Sequence, residues 1–430
     1  MKGPRVLRVR TELGSAELWS RWLADAGERI GDRTCCLPVT AGLNLGAWLH
    51  EHGSDWDRVL LLGGHGGDDA QIGDAIHDLI SITGDSFSAS HHAAPGTRVL
   101  PVVPVGGQQS NPLMRAGTLR VSRDLMRADR PSRLSALPSD EQRDVERVWR
   151  GITDRLVGVA LGGGGAWGFS HVSLLSGLAS RGVPVDIITG ASIGSVVGAY
   201  YASDGEKGLE KLLDRGRVMS ALVGLGIVHG GGLAWMCRRD LTHENLEDLR
   251  IPFYPVATNV ETGEAEAIRS GSIGIGVRAS GSLPGLITAT TIGTKRYVDG
   301  GMSNNVPASM LPGEGAQLII AANVAQRPGI AGPGDTRAAP RTRIGRWTRE
   351  VDPIRRAKDL FLSMSTLTHQ GGELLSVCAH ITYDAEMREF APWHFYKSRT
   401  IAQRGDEDVQ STLDRAEAAW GALVHRRGGA

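Results

Sequence analysis

The sequence predicts an α/β protein with two domains, each built around a mostly parallel β-sheet. Short apolar runs typical of strands alternate along the chain with segments of helical spacing, and this alternation indicates parallel strands covered by helices. The chain has 430 residues, more than one domain usually holds. A stretch rich in Arg, Ser and Pro over residues 106–140 has weak periodicity and indicates a linker. We therefore expect a first domain over residues 1–140, a second over residues 150–330, and a helical extension over residues 331–430 that packs on the second domain.

The first domain is predicted to be the smaller of the two and to be a Rossmann-like α/β domain. Its apolar runs indicate strands, and helical spacing over residues 15–28 indicates a helix between the first two of them. The glycine-rich segment Gly63–Gly67 follows the third strand, but it lacks the Lys-Ser/Thr pair of a phosphate-binding P-loop. The role of this domain is therefore left unassigned. The four predicted strands lie at residues 6–9, 35–39, 59–62 and 99–105.

The second domain is predicted from the same alternation. A helix over residues 141–155 leads into a strand over residues 156–161, and α/β spacing then continues to about residue 325. Residues 327–349 interrupt the pattern with six arginines and several Gly and Pro residues. Helical spacing returns over residues 353–370 with apolar residues on one face, and we expect that face to pack against the core.

Composition excludes several classes of protein. Lys plus Arg and Asp plus Glu each number 47, so the formal net charge is zero, which argues against a nucleic-acid partner held by overall charge. Hydrophobic residues make up 41% and charged residues 22%, which is too apolar for a disordered chain. These values predict a globular protein.

The predicted location is the cytoplasm, with peripheral contact to a membrane surface left open. No run of about 18 uncharged apolar residues indicates a membrane-spanning helix, and the N-terminus lacks the apolar core of a signal peptide. The cysteines show no metal-ligand spacing and fit a reduced compartment better than a disulfide framework. They are Cys35, Cys36, Cys237 and Cys378.

Two neighbouring strand-to-helix junctions carry the pattern of an acyl-transfer site. The second has the Gly-x-Ser-x-Gly form of a nucleophile elbow, with Ser192 between Gly190 and Gly194. The first is a glycine loop after the strand over residues 156–161, and a right-handed βαβ connection would bring both junctions to the carboxyl end of the sheet. Free backbone N–H groups of that loop would then face the serine, as an oxyanion hole requires. The glycines of this loop are Gly162, Gly163, Gly164, Gly165 and Gly168.

Either pattern alone has another interpretation. Gly163-x-Gly165-x-x-Gly168 is also typical of a dinucleotide-binding loop. Such a site requires an acidic residue at the end of the next strand to bind the ribose. The acid on that strand is Asp186, near its beginning, and the serine elbow occupies its end. The two patterns together therefore favour catalysis over nucleotide binding.

A serine nucleophile needs a base, and the sequence offers two kinds. Asp299 ends a strand and is followed by Gly300 and Gly301, a pattern that is also found in plain turns. A histidine is the conventional base and stays open at this point. Three histidines that follow Asp299 are candidates: His369, His380 and His394.

These motifs resemble the patatin-like phospholipases, whose pattern is a Gly-Gly-Gly-x-Arg-Gly loop, a Gly-x-Ser-x-Gly elbow and an Asp-Gly-Gly or Asp-Gly-Ala base. The chain shows all three in order, at Gly163–Gly168, Gly190–Gly194 and Asp299–Gly301. The resemblance extends to His171 after the loop and to the stretch Arg278–Gly285. Within this family, the chain resembles the branch formed by the bacterial relatives of neuropathy target esterase.

The resemblance implies a three-layer α/β/α catalytic core and a Ser192–Asp299 dyad that uses no histidine, no metal and no cofactor. It implies hydrolysis of phospholipid or lysophospholipid esters through an acyl-enzyme, with Gly163, Gly164 and Gly165 as the oxyanion hole. One departure is that Trp167, with a single neutral N–H donor, stands where the family has a loop arginine.

Two alternatives remain at this stage. Because Trp167 removes a cation from the loop, the chain is also compatible with a neutral-lipid or short-ester hydrolase, or with an acyltransferase. The other alternative is a catalytically impaired regulatory protein whose glycine loops bind a nucleotide. Chain-length preference and oligomeric state are not predicted.

Overall fold

The computed structural model divides the chain into two compact units. The first comprises Met1–Leu156 with two short later pieces, Gly313–Gln317 and Ala419–Ala430, and the second comprises Val157–Pro312 and Leu318–Ala418. The residues that the structure describes are 5–11, 15–38, 45–62, 78–82, 98–105, 118–127, 129–225, 231–326, 363 and 376–425.

The first unit contains a six-stranded sheet in which every neighbouring pair is parallel. Its spatial order is β2-β3-β1-β4-β5-β6, which differs from the common dinucleotide-binding order 3-2-1-4-5-6 by an exchange of β2 and β3. The α/β fold class predicted for this region is therefore confirmed. The strands are β1 (Arg5–Thr11), β2 (Thr34–Pro38), β3 (Arg58–Leu62), β4 (Asp78–Ile82), β5 (Arg98–Pro104) and β6 (Leu119–Val121).

Two of these strands were not predicted. The strand β6 lies inside residues 106–140, so the prediction of a linker over that whole stretch is wrong. The reason is Arg120, which is buried in the middle of β6 and interrupts the apolar pattern that would reveal a strand. The strand β4 begins with a charged residue, Asp78, and has Ser81 inside it, so it too lacks a continuous apolar run.

Among the described residues, the helices of the first unit are α1 (Ala16–Arg29), α2 (Leu45–His52) and α3 (Ser139–Ile152). A buried ion pair and an indole hydrogen bond stabilise the region around α3. Arg155 donates to both oxygens of Asp32 at 2.6 and 3.0 Å, and Trp149 Nε1 donates to Asp32 Oδ2 at 3.0 Å. The buried carboxylate is thus paired and hydrogen-bonded, as a buried charge must be.

The second unit contains an eight-stranded mixed sheet. Its central strands are parallel and its order is β11-β12-β9-β8-β7-β13-β14, with β10 paired to β9 off this path. The strands β12 and β11 are antiparallel to their neighbours. All residues of β7, β8 and β9 are buried, which explains their continuous apolar character. The strands are β7 (Val157–Leu161), β8 (Ile187–Ala191), β9 (Phe253–Asn259), β10 (Ala265–Ala267), β11 (Thr290–Ile292), β12 (Lys295–Asp299), β13 (Leu318–Asn323) and β14 (Ile381–Asp384).

Helices connect and flank these strands. The unit β7–α4–β8 is a parallel βαβ unit, so the ends of β7 and β8 lie at the same edge of the sheet. The helix α5 follows β8 directly and contains a backbone break at Gly205. The helices in the described part of the chain are α4 (Ser170–Ser180), α5 (Ile193–Asp214), α6 (Gly216–Leu225), α7 (Gly231–Asp240), α8 (Ile273–Ser280), α9 (Ser398–Asp408) and α10 (Gln410–His425), the last of which extends beyond Ala418 into residues of the first unit.

The C-terminal region is more than the helical extension that was predicted. Its strand β14 pairs in parallel with β13 and so belongs to the second sheet. With only four residues, Ile381–Asp384, this strand is too short to stand out by its alternation. The helix α9 packs against α4, where Ser173 Oγ donates to the carbonyl oxygen of Ala402 at 2.7 Å.

Three predicted features lie outside the described residues: the glycine-rich segment Gly63–Gly67, the arginine-rich segment over residues 327–349 and, except for residue 363, the helix over residues 353–370. Of the helices in the described ranges, none combines the length and the apolar character that crossing a membrane requires.

Candidate active site

The backbone at Ser192 has the sharp geometry of a nucleophile elbow. Ser192 lies between the end of β8 and the start of α5 with φ 52° and ψ −122°, a conformation that costs a residue with a side chain about 1–3 kcal/mol. Its two flanking glycines are required by close approach. A Cβ on Gly194 would lie 2.1 Å from the carbonyl oxygen of Leu161, and one on Gly190 would lie 2.6 Å from that of Gly194.

Hydrogen bonds on both sides hold the elbow in this conformation. The Ser192 N–H donates to Ser280 Oγ at 3.0 Å, and Ser280 Oγ donates to the carbonyl oxygen of Val256 on β9 at 2.6 Å. On the helix side, Ser195 Oγ donates to the carbonyl oxygen of Ser192 at 2.6 Å. Ser280 is the last residue of α8. In the sequence it stood out only as part of the stretch that resembles the patatin-like phospholipases, and nothing there indicated that it supports the elbow.

The side chains of Ser192 and Asp299 meet across the sheet. Ser192 Oγ donates to Asp299 Oδ2 at 2.7 Å, and the N–H of Gly301 donates to Asp299 Oδ1 at 2.8 Å. Asp299 ends β12, whose neighbour β9 lies next to β8, so the two side chains come from strands two positions apart. Close packing also requires Gly300, because a Cβ there would lie 2.0 Å from the carbonyl oxygen of Val256.

The environment of Asp299 makes its carboxylate more basic than an exposed one. The residue is 3% exposed. Burial raises the pKa of Asp299 to about 6, although the hydrogen bonds from Ser192 and Gly301 act in the opposite direction. The carboxylate is therefore ionised near neutral pH and is a better proton acceptor than an aspartate in water.

The glycine loop after β7 approaches Ser192, but one of its three amides is already bonded. The N–H of Gly163 donates to the carbonyl oxygen of Asn305 at 3.2 Å. The N–H of Gly163 is therefore engaged in this structure, and its role as an oxyanion donor stays a prediction. Gly163 is needed for space instead, since a Cβ there would lie 3.1 Å from Ser192 Cβ and 2.6 Å from Asn305 Oδ1.

The next two amides of the loop remain available. Within the described part of the chain, the structure gives no acceptor for the N–H groups of Gly164 and Gly165. Gly165 has φ 62°, which favours glycine. Gly164 and Ser192 are partly exposed, whereas Gly163, Gly165 and Ile193 around them are buried. The loop and the serine are thus accessible at the same place.

Two further residues fix the loop against the rest of the domain. A Cβ on Gly168 would lie 2.4 Å from Ile193 Cγ2, so this glycine lets the loop pack on the residue after the serine. His171 is fully buried, and its Nε2 lies 2.8 Å from the carbonyl oxygen of Gly162. Burial lowers the pKa of His171 to about 4, so the ring is neutral and donates from Nε2.

Two of the alternative bases and the alternative ribose-binding acid are engaged in other hydrogen bonds. His380 Nδ1 accepts from the N–H of Ile319 at 3.0 Å, and His394 Nδ1 accepts from the N–H of Ala391 at 3.1 Å. His369 lies outside the described residues. Asp186 precedes β8, at the end opposite to the glycine loop, and accepts from the N–H of Val157 at 2.9 Å.

Comparison with known proteins identifies the family of this domain. Residues 159–312, which contain the glycine loop, the elbow and Asp299, match the family described as patatin-like phospholipase. The domain belongs to this family. The resemblance drawn from the three motifs is thereby confirmed, and the patatin domain forms most of the second unit.

Curated relatives share this domain and are much longer proteins. The chain is 35% identical over 204 residues to the patatin-like phospholipase domain-containing protein ZK370.4 of Caenorhabditis elegans, covering 43% of this chain and 15% of the relative. It is 34% identical over 202 residues to the lysophospholipase nte1 of Aspergillus fumigatus, covering 42% and 13%. A crystal structure of VipD from Legionella pneumophila is similar with a TM-score of 0.28 and 15% identity, over 61% of this chain and 67% of that one.

The raised pKa of Asp299 predicts that replacing it with Asn stabilises the patatin domain at alkaline pH. The folded-state pKa of about 6 lies above the ordinary value of 3.8, so the stability linked to protonation is present below about pH 4 and is lost as the pH rises through 6. The neutral Asp299→Asn variant avoids this loss. We expect its melting temperature to exceed that of the wild type at pH 8 and the difference to shrink as the pH falls toward 4.

Asp240→Asn is the matched control with the opposite sign. Burial raises the pKa of Asp240, but hydrogen bonds from Arg215 and Tyr200 outweigh burial and hold it below its ordinary value. Arg215 lies 2.6 Å from this carboxylate. The Asp240→Asn variant should therefore melt lower than the wild type at pH 8. A lower melting temperature for Asp299→Asn as well would contradict the desolvation of Asp299.

Proposed function

We propose that this chain is a serine acyl hydrolase that cleaves carboxylic esters of phospholipids or lysophospholipids with a Ser192–Asp299 dyad. The observation that carries the proposal is the 2.7 Å hydrogen bond from Ser192 Oγ to Asp299 Oδ2, made to a buried carboxylate. The substrate class is inferred from the relatives, one of which is named a lysophospholipase.

In the first half of the reaction, Ser192 Oγ attacks the ester carbonyl carbon while its proton passes to Asp299 Oδ2. A general base contributes most when its pKa is near the working pH, and the pKa of about 6 brings Asp299 within reach of neutrality. The negative charge that develops on the carbonyl oxygen is stabilised by the N–H groups of Gly164 and Gly165. One such donor contributes about two to three orders of magnitude in rate.

In the second half, the tetrahedral intermediate collapses and the leaving alcohol takes the proton from Asp299. The acyl group then remains bonded to Ser192 Oγ. Water attacks the carbonyl carbon of this acyl-enzyme and gives its proton to Asp299. The bond from that carbon to Ser192 Oγ then breaks, Asp299 returns the proton to Oγ, and the fatty acid leaves. Because Gly301 donates to the other oxygen, Oδ1, the reacting oxygen Oδ2 stays directed at Ser192 throughout.

A fluorophosphonate probe tests the nucleophile. Ser192 Oγ should form a bond to phosphorus as fluoride leaves, with the proton passing to Asp299. We expect one label per chain, located at Ser192 by peptide mass spectrometry. Ser192→Ala should abolish the label, and Asp299→Asn should slow both labelling and ester hydrolysis by about two to four orders of magnitude.

Matched controls separate chemistry from folding. Ser180→Ala removes an exposed hydroxyl at the end of α4 and should be labelled like the wild type. Asp186→Asn changes another fully buried carboxylate, and its folded fraction should be labelled at the wild-type rate. Unchanged turnover in Asp299→Asn would refute the dyad. An unlabelled wild-type chain would instead favour the regulatory nucleotide-binding alternative.

The pH dependence of hydrolysis should report the ionisation of Asp299. Because the base must be ionised, kcat/KM should fall as the pH drops through about 6, by about tenfold per pH unit below it. His171, with a pKa lowered to about 4, does not titrate in this window. A profile that stays flat down to about pH 5 would contradict the raised pKa of Asp299.

The indole of Trp167 favours a second candidate, the hydrolysis or transfer of acyl groups from neutral lipids. Trp167 is 1% exposed and contributes no charge where the family has a loop arginine. Comparing kcat/KM for lysophosphatidylcholine and for a monoacylglycerol of the same chain length separates the two. We expect the lysophospholipid to be preferred, whereas preference for the neutral lipid would support the second candidate. Acyl transfer is tested separately, because an acyltransferase would pass the acyl group to an added alcohol.

A further inference from the structure

A segment from the C-terminal region bonds directly to the glycine loop of the patatin domain. We name residues 387–397, between β14 and α9, the C-terminal strap. Two of its main-chain carbonyls accept hydrogen bonds from the residues that follow Gly165. Trp167 Nε1 donates to the carbonyl oxygen of Phe390 at 2.8 Å, and the N–H of Ala166 donates to that of Pro392 at 2.7 Å.

These bonds act on the part of the loop where position matters most. Ala166 is the next residue after Gly165, so fixing its N–H fixes the peptide plane that links the two. The amides of Gly164 and Gly165 are the oxyanion donors in the proposed function. Such donors contribute to rate only when they are held in place before the reaction, and a small displacement weakens them strongly.

The strap is itself a built structure. His394 Nδ1 accepts from the N–H of Ala391 at 3.1 Å, which closes the turn that presents Pro392. The strap is bonded to the segment that follows β13 by the N–H of Met387, which donates to Gln326 Oε1 at 3.1 Å. The ring of Phe395 packs edge-on against that of Phe169, with the two ring centroids 6.2 Å apart.

We propose that the C-terminal strap positions the oxyanion loop and that Trp167 is a positioning residue that acts through its indole N–H. This inference rests on the proposed function. It assigns to Trp167 a role without charge, and it makes residues outside the matched segment 159–312 part of the catalytic apparatus.

The test compares two substitutions of identical chemistry. Trp167→Phe keeps an aromatic ring and removes the N–H that donates to Phe390. Trp22→Phe is the control, because Trp22 is also buried and its Nε1 donates to a main-chain carbonyl, that of Pro131, at 2.9 Å in the first unit. The readout is the saturation kinetics of fluorophosphonate labelling, which separate probe affinity from the rate of bond formation.

We expect Trp167→Phe to lower the maximal labelling rate by about tenfold with little change in probe affinity. Trp22→Phe should leave both unchanged, even if it lowers the melting temperature. If the wild type is labelled and both variants react at the wild-type rate, the positioning role is refuted while the proposed function stands. If the wild type is not labelled, the proposed function fails and this inference fails with it.

Substitutions at His394 test the strap without touching the loop. His394→Ala removes the acceptor for the N–H of Ala391 and should slow labelling, whereas His394→Asn offers an amide oxygen at a similar position and should restore most of the rate. An asparagine cannot act as a general base, so this rescue also separates positioning from base catalysis. Equal loss in both variants would overturn the role of the strap and point to the histidine ring itself.

Discussion

The hydrogen bond between Ser192 and Asp299 is the interaction on which the rest of the site depends, because it joins the ends of two strands that are not neighbours. Its donor follows β8 and its acceptor ends β12, with β9 between them. In this fold β12 runs antiparallel to β9 in the register that pairs Asp299 with Ala257, and this pairing brings the carboxylate to the serine. Burial of the carboxylate, which raises its pKa, is the energetic cost of this arrangement and also the source of its basicity.

Close backbone approach is the second constraint, and it explains why glycines recur where the elements meet. Ser192 has the strained φ of 52°. At the glycines beside it and in the facing loop, the surrounding atoms leave no space for a side chain. Strain of this kind persists only when the surroundings over-determine it. Here the bond from the Ser192 N–H to Ser280, and from Ser280 to β9, supplies that support.

Sequence alone could predict the features that are local. The elbow around Ser192, the strands β7 and β8 and the Asp299-Gly300-Gly301 turn each have a signature within a few residues. What could not be predicted depends on distant partners. No residue near Gly163 in the sequence indicates that its N–H bonds to Asn305, and the partner of Trp167 lies 223 residues away. The strands β6 and β14 were missed because one carries a buried arginine and the other has four residues.

The structural limits of the catalytic unit therefore differ from the limits of its sequence similarity. The matched segment ends at residue 312, yet β13 and β14 extend the same sheet beyond it. A hydrogen bond from Ser173 Oγ to the carbonyl oxygen of Ala402 joins α4 to α9. Gly405 of α9 packs so closely on α4 that a Cβ there would lie 2.8 Å from Ser173 Oγ. In the proposed function the loop must hold two amides for a developing charge, and it then needs support on the side away from the serine. The carbonyl oxygens of Phe390 and Pro392, both beyond the matched segment, accept the hydrogen bonds from Trp167 and Ala166 on that loop.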